Sequence, residues 1–217
     1  MRGWVRFLRT TPCLLLLVVQ LAGVVLYPYM EGSFVGRSGF AMFGLLVLGL
    51  TLYALRATPA IWWVGLLIAA PSVVLLLLGV VTANQSLFPW SSAFEMVLYF
   101  YAAAGMLRYM LADDDVTTDE LFAIPAVFTL LAWAFAYVYV VLQALYPGSF
   151  AGGEEGRNWM ELLFLSFTTL SSTGLSDITP VLGHARSAVM LEQLAGVFYI
   201  AMVVTRLVTV RASRSQR

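Results

Sequence analysis

The chain has 217 residues and no net charge, and 61% of its residues are hydrophobic whereas only 11% are charged. Soluble domains carry about 25% charged residues, so this composition excludes an ordinary soluble domain and indicates an all-α membrane protein. One cysteine and one histidine exclude an intrachain disulfide and a multi-ligand transition-metal site, and the zero net charge points to no nucleic-acid partner. Enzyme motifs are also missing, so we expect no catalytic residue and no cofactor.

Six apolar segments are long enough to cross a bilayer, which takes about 20 residues. They lie at residues 12–29, 40–56, 60–82, 91–111, 120–146 and 184–209. A shorter apolar segment, 159–170, lies between the last two and is too short to cross. Its length and place are those of a re-entrant segment.

The arginines orient these spans. With six spans, nine of the twelve basic residues fall on one side, which the positive-inside rule makes cytoplasmic: Arg2, Arg6, Arg9, Arg56, Arg108, Arg206, Arg211, Arg214 and Arg217. We therefore expect a multi-pass protein of the cell membrane with both termini in the cytoplasm and residues 147–183 outside. A cleaved signal peptide within residues 1–28 is the alternative for the first span, and it would leave the orientation of the other five unchanged.

The first four spans, within residues 1–111, form a predicted peripheral unit. A voltage sensor needs several arginines at three-residue spacing, but the fourth span has only Arg108, at its end, so we predict no voltage sensing. Glu95 is the ionisable residue well inside that span. A carboxylate inside the membrane is a functional candidate by default, although a structural hydrogen bond near the outer interface would also account for it.

An acidic linker, residues 112–119, precedes the fifth span. It is predicted to be a solvated linker or, if the chain assembles, a ring that attracts cations or binds calcium; the acidic residues are Asp113, Asp114, Asp115, Asp119 and Glu120. Thr117 and Glu120 have the spacing of a capping box at a helix start, and Asn158 and Glu161 repeat it before the short segment. Helices are therefore predicted to begin near residues 118 and 159.

The residues after the short segment carry the chemistry. A helix from Trp159 to Leu170 would enter from the outer face and end with its negative dipole end inside the bilayer. Residues 171–176 have no helical pattern, and bare backbone at that depth is tolerated only inside protein or along a watery cavity. Hydroxyl and carbonyl oxygens there would replace part of a cation's water shell, and Asp177 would add negative charge at the mouth. This is the pattern of a re-entrant pore loop.

The stretch from Phe167 to Pro180, FTTLSSTGLSDITP, resembles the filter region of the potassium-channel pore domain, F-T-T-L-T-T-V-G-Y-G-D-I-T-P. The matching positions are Phe167, Thr168, Thr169, Leu170, Gly174, Asp177, Ile178, Thr179 and Pro180. The resemblance continues through ARSAVMLEQLAGVFYIAMVVTRLV, residues 185–208, and covers roughly residues 120–210. The one-glycine sequence STGLS is also similar to the pore loops of Trk-type potassium transporters.

The resemblance implies a homotetramer in which four copies of a pore domain, residues 120–210, surround one pore and a basic tail follows at 211–217. It implies a pore helix containing Trp159, Glu161, Thr168 and Thr169, an inner-helix hinge at Gly196 and a vestibule charge at Glu192. It also implies passive conduction of monovalent cations, potassium first. The filter would be Ser172, Thr173, Gly174, Leu175 and Ser176, with the cation held at Ser172, Thr173 and Gly174.

The filter departs from the family at three positions. Thr173 replaces a valine, Leu175 replaces the tyrosine that braces the filter, and Ser176 replaces the second glycine, where a Cβ would be strained or would change the geometry. Poorly selective monovalent conduction is therefore an alternative. Two further alternatives stay open, a non-conducting regulatory subunit and a proton-coupled cation transporter that uses Glu95 or His184.

Overall fold

A computed structural model describes residues 11–30, 34–56, 58, 60–82, 84–112, 117–152 and 156–215. Seven α-helices and one short 3-10 turn, Gln85–Leu87, make up this part of the chain. The helices are α1 (Pro12–Met30), α2 (Phe34–Leu55), α3 (Trp62–Val81), α4 (Phe88–Met110), α5 (Thr118–Leu145), α6 (Trp159–Leu170) and α7 (Gly183–Ser215). A helix therefore stands at each of the six predicted spans and at the predicted short segment.

Four of these helices, α1, α3, α5 and α7, contain a stretch that is long and apolar enough to cross a membrane. In α4, a 23-residue helix, the buried residues Ser91 and Ser92 and the carboxylate of Glu95 add polarity. In α2, the stretch with described side chains is the apolar segment Phe43–Leu55. A multi-pass membrane protein is supported, and the count of six spans stays a prediction.

The centre of the fold is α5, which packs against α1, α4, α6 and α7. Its side chains are buried on several sides, including Leu130, Trp133 and Tyr139. Tyr99 of α4 stacks on Tyr137 of α5 and meets Trp133 edge to face, with ring centroids 5.6 and 6.0 Å apart. Aromatic packing thus fixes α4 to α5.

The start of α5 is capped as predicted, since the Thr117 hydroxyl accepts a hydrogen bond from the Glu120 backbone N–H at 3.2 Å. The acidic residues beside the cap are not solvated: Asp119 and Glu120 are both buried. The Asp119 carboxylate accepts from the Cys13 backbone N–H at 3.1 Å, and Glu120 lies 3.8 Å from Arg206. These two carboxylates therefore connect α5 to the start of α1 and to α7.

Several of the charged residues named from the sequence cannot be placed in the fold, because they lie outside the described residues. Asp113, Asp114 and Asp115 of the linker lie outside the described residues, as do Arg2, Arg6, Arg9 and Arg217. The side chains of Arg37, Arg211 and Arg214 lie outside them too. Of the five acidic residues predicted to form a cation-attracting ring, Asp119 and Glu120 are buried and do not face solvent in the single chain.

The last helix, α7, contacts the rest of the fold along one stripe. Glu192, Gly196 and Tyr199 are spaced i, i+4, i+7 and face α5 and α6: Glu192 is bonded to Tyr139 and Ser166, Gly196 lies against Leu170, and the Tyr199 hydroxyl donates to the Ile124 carbonyl at 2.5 Å. The other faces of α7 expose large apolar side chains, namely Met190, Leu191, Leu194, Val197, Phe198 and Val204.

Candidate functional site

The short helix α6 begins with a complete capping box, as predicted. The Asn158 side chain accepts from the Glu161 backbone N–H, and the Glu161 carboxylate accepts from the Asn158 backbone N–H, both at 2.8 Å. Arg157 adds a second link, because its guanidinium lies 3.2 Å from Glu161 and donates to the Ala151 carbonyl at 2.7 Å. Trp159 meets Trp133 of α5 edge to face, with centroids 5.0 Å apart. The start of α6 is therefore fixed both to the preceding loop and to α5.

The chain before α6 and the chain after the loop are hydrogen-bonded to each other, so the segment that contains α6 begins and ends at the same place in the fold. The Ala151 N–H donates to the Thr179 carbonyl at 2.9 Å, and the Val181 N–H donates to the Ser149 carbonyl at 2.8 Å. A single antiparallel bridge joins Phe150 and Pro180 between these bonds. Because α6 is 12 residues, or about 18 Å, it is too short for the roughly 30 Å hydrocarbon core.

Four donors converge on the Thr168 carbonyl at the end of α6, and one of them is the Ser171 hydroxyl at 3.4 Å. The Thr168 carbonyl accepts from the backbone N–H groups of Thr173 and Gly174 at 2.9 and 3.1 Å, and from the Thr173 hydroxyl at 3.3 Å. The Ser172 N–H donates to the Thr169 carbonyl at 3.0 Å. The loop therefore turns its N–H groups towards α6 in a small nest.

The carbonyls of the same peptide units point the other way. In a planar trans peptide, C=O and N–H are antiparallel, and no cis bond occurs in the described part of the chain. The N–H bonds of Ser172, Thr173 and Gly174 to α6 thus direct the carbonyls of Ser171, Ser172 and Thr173 away from it. Residues 172 to 175 are exposed in the single chain, so the loop that carries the carbonyls of Ser172 and Thr173 lies at the surface of the chain.

This arrangement needs unusual backbone angles at two positions. Gly174 has a φ of 65°, and Ser172, at 59°, is the one non-glycine residue with positive φ among those described. Ser176 was expected either to be strained or to change the local geometry, and no strain from a positive φ is found there. Its φ is ordinary, and its hydroxyl accepts from the Ile178 N–H at 3.1 Å. The Cβ penalty falls four residues earlier because the turn onto Thr168 is made at Ser172.

The remaining loop residues divide between exposed and buried. Leu175 exposes 77% of its surface, and Asp177 is also exposed. Ile178 is buried, in a cluster with Tyr139, Phe150 and Leu162. Thr169 is buried at the end of α6. Ile178 therefore anchors the end of the loop, and the side chains of Leu175 and Asp177 are exposed before it.

Glu192 does not face a vestibule, which corrects the expectation from the sequence. Its side chain is 0% exposed even in the single chain, and it accepts a hydrogen bond from the Tyr139 hydroxyl. Its other carboxyl oxygen contacts the Ser166 hydroxyl, which lies 2.7 Å from the Ala132 carbonyl. The register of α7 turns Glu192 behind α6, where it joins α5, α6 and α7.

Sequence analysis did not select Tyr139 or Ser166. Both are hydroxyl-bearing residues in mainly apolar helices, and that polarity is the available signal, since a buried hydroxyl in a membrane segment needs a partner. The sequence does not say which partner. Only the packing of three helices joins these two hydroxyls to Glu192.

Gly196 lies directly against the end of α6. A Cβ at this position would stand 2.0 Å from the carbonyl oxygen of Leu170 and 2.8 Å from its carbonyl carbon. The atoms in the way are backbone, which cannot rotate aside. Close packing alone therefore accounts for a glycine here, and the predicted hinge has no independent support from the geometry.

The comparisons with known proteins agree with this geometry. A family model described as an ion channel matches residues 126–212. The match supports the potassium-channel pore-domain superfamily for this segment. The matched segment contains most of α5, all of α6, the loop after it and most of α7. No curated protein and no solved structure gives a significant match. The matched family consists of ion channels and not of enzymes.

The positive φ of Ser172 leads to a stability prediction. A left-handed conformation costs an L-residue about 1–2 kcal/mol, and glycine avoids that cost. We expect Ser172→Gly to be more stable than Ser172→Ala by about 1 kcal/mol, measured by thermal unfolding of the purified protein. The alanine variant controls for loss of the hydroxyl. Equal stability of the two would show that residue 172 is not held at positive φ.

Proposed function

We propose that the protein is a homotetrameric channel that conducts monovalent cations passively, with potassium preferred. The observation that carries the proposal is the direction of the loop peptides. Their N–H groups are bonded to α6, so the carbonyls of Ser171, Ser172 and Thr173 are free to face a pore axis. Rings of backbone carbonyls are the usual means by which channels replace the hydration shell of a cation.

Within this proposal the filter is Ser172, Thr173, Gly174, Leu175 and Ser176, and the cation sites are at Ser172, Thr173 and Gly174. Asp177, an exposed carboxylate beyond the filter, increases the local cation concentration at the mouth. No cluster of three or more His, Cys, Asp or Glu side chains occurs among the described residues. Oxygen ligands from the backbone suit a weakly bound monovalent cation, which must also leave.

Fourfold assembly is supported by the exposed faces of the pore domain. One stripe of α7 is bonded to α5 and α6, and its other faces carry exposed Met190, Leu191, Val197 and Phe198. Neighbouring subunits around a pore would cover part of this surface, and they would enclose the exposed loop residues 172 to 175. In the proposed orientation, the loop faces the outside of the cell membrane and both termini are cytoplasmic.

Weak selectivity among monovalent cations is the second candidate. It is favoured by Leu175, which is 77% exposed and has no hydroxyl to brace the loop. The Ser176 hydroxyl accepts a hydrogen bond from the Ile178 N–H within the loop. This bond stabilises the outer end of the loop but does not connect it to α6. The outer part of the filter is thus less constrained than the part bonded to Thr168.

The test uses two matched glycine substitutions. Gly174 and Gly148 have φ of 65° and 77°, and an added Cβ would meet nothing within 4 Å at either position. The strain of an alanine is therefore similar at both sites, but only Gly174 lies in the proposed filter. Liposomes containing purified protein should take up rubidium passively with barium block, Gly148→Ala should retain this flux, and Gly174→Ala should lose at least about tenfold.

The same assay separates the alternatives. No flux in wild-type protein under any gradient would contradict the channel and favour a regulatory subunit. Flux that requires a proton gradient would favour the transporter. A reversal potential in mixed potassium and sodium decides between potassium preference and weak selectivity, and a monomer in native mass measurement would exclude the shared pore.

A further inference from the structure

A cavity of about 300 Å³ lies between α2, α3 and α4 on one side and α5 and α6 on the other. It is lined by residues from α2, α3, α4, α5 and α6, at the end of the bundle where α5 ends and α6 begins. Its volume is at the lower end of the range for small-molecule sites. The cavity is separate from the filter loop, none of whose residues contributes to the lining.

The floor of the cavity contains the carboxylate of Glu95. One oxygen of this carboxylate accepts from the hydroxyls of Ser72 and Ser91 at 3.1 and 3.3 Å, and Tyr137 is a further hydrogen-bonding partner. These partners are all neutral, and Glu95 takes part in neither ion pair found within the described residues. A negative charge away from bulk water favours a positive partner.

One other charged side chain lines the cavity, that of Arg157. Its guanidinium is already bonded to Glu161 at 3.2 Å and to the Ala151 carbonyl at 2.7 Å. The charge of Arg157 is thus offset by Glu161, and in its ionised form the Glu95 carboxylate gives the cavity one net negative charge. A single positive charge would neutralise it.

The remaining walls favour an organic cation over a metal ion. Phe88, Tyr137 and Trp159 contribute aromatic rings, and Leu76 and Val140 are aliphatic. Aromatic faces attract ammonium groups within about 6 Å of the ring centroid. The lining offers a metal ion the oxygens of one carboxylate, two serines and a tyrosine, because the Gln143 oxygen already accepts from the Arg157 N–H. These are fewer than the six to eight oxygen ligands that a hydrated ion such as Ca²⁺ takes.

We propose that this cavity binds a small monovalent organic ammonium ion, with Glu95 as counter-ion and the rings of Phe88, Tyr137 and Trp159 around its alkyl groups. Because the cavity joins the peripheral helices to α5 and α6, a ligand there contacts both the peripheral unit and the pore domain. The proposal does not depend on conduction through the filter.

Choline and its neutral carbon isostere, 3,3-dimethylbutan-1-ol, provide the test. Titration calorimetry and thermal shift on purified full-length protein should detect choline binding, with the isostere at least about tenfold weaker. Glu95→Gln keeps the shape of the side chain and removes its charge, so we expect it to weaken choline binding at least about tenfold. Phe88→Leu keeps the bulk and removes the aromatic face, and should weaken choline by a smaller factor.

Asp177→Asn is the control for binding at the filter mouth and should leave choline affinity unchanged. Absence of choline binding at tens of millimolar would overturn the proposal. Equal affinity in Glu95→Gln, or loss of affinity in Asp177→Asn, would also overturn it. Rubidium flux measured on the same preparations tests the channel separately, so failure of one conclusion is distinguishable from failure of the other.

Discussion

Glu192→Gln is expected to fold and conduct like the wild type, whereas Glu192→Leu is expected to lose both. The Ser166 hydroxyl has one hydrogen and lies within bonding distance of the Ala132 carbonyl and of Glu192. If Ser166 donates to Ala132, the hydrogen between Ser166 and Glu192 comes from a protonated carboxyl group. The carboxylic acid then has a donor for every contact, with Tyr139 donating to its other oxygen.

Glutamine reproduces this pattern, because its NH₂ group donates to Ser166 and its carbonyl accepts from Tyr139. Leucine leaves the buried Tyr139 hydroxyl without its carboxyl partner, and an unsatisfied buried group costs about 1–3 kcal/mol. It also removes one of the two contacts of Ser166, which keeps its bond to the Ala132 carbonyl. Thermal unfolding and rubidium flux measure the two effects. A severe loss in Glu192→Gln would show that the residue acts as a charge and would contradict the protonated form.

The partners offer an independent check of the same network. Tyr139→Phe removes the bond to one oxygen of Glu192 and should destabilise the wild type by about 1 kcal/mol or more. The same change in the Glu192→Leu background should have a smaller effect, since the partner has already gone. Additive effects in this double-mutant cycle would show that Tyr139 and Glu192 do not interact.

Gly196→Ala is expected to lower both stability and ion flux strongly, although it adds only one methyl group. Its Cβ would stand 2.0 Å from the Leu170 carbonyl oxygen, so α7 or the end of α6 must move. Overpacking usually costs about 1–3 kcal/mol, and here the shift reaches Ser171 and the filter carbonyls directly. We expect a clear fall in unfolding temperature together with loss of rubidium flux.

The matched control is Gly49→Ala, in the interior of α2, where an added Cβ meets nothing within 4 Å. Alanine there should raise helix stability by about 0.5–1 kcal/mol. Wild-type stability with altered opening in Gly196→Ala would favour the hinge over close packing. Unchanged stability and unchanged flux would contradict the contact with Leu170.

The helices and their ends could be read from local signals. Hydrophobic runs gave the seven helix positions, and the capping boxes placed the starts of α5 and α6 at Thr118 and Trp159. A cap depends on residues three apart in the chain, so its geometry is settled within one helical turn. The family match at residues 126–212 likewise agrees with the residues quoted for the resemblance.

The sequence was less informative about charges and strain. Glu192 was assigned to a vestibule, Ser176 was expected to be strained, and Asp119 and Glu120 were placed in a solvated linker or ring. The burial, backbone angle and hydrogen bonds of such a residue depend on which distant segment of the chain packs against it. The partners of Glu192 are 26 and 53 residues away in the chain, and that of the Asp119 carboxylate is 106 away.

By itself, the sequence determined that this is a helical membrane protein with a polar loop after a short capped helix, because composition, periodicity and capping act over a few residues. Tertiary structure decided what the polar groups do. It directed the N–H groups of Thr173 and Gly174 onto Thr168 and so turned the carbonyls outwards. It also buried Glu192 behind α6 and placed Glu95 in a cavity, because a buried polar group takes its role from partners that only packing supplies.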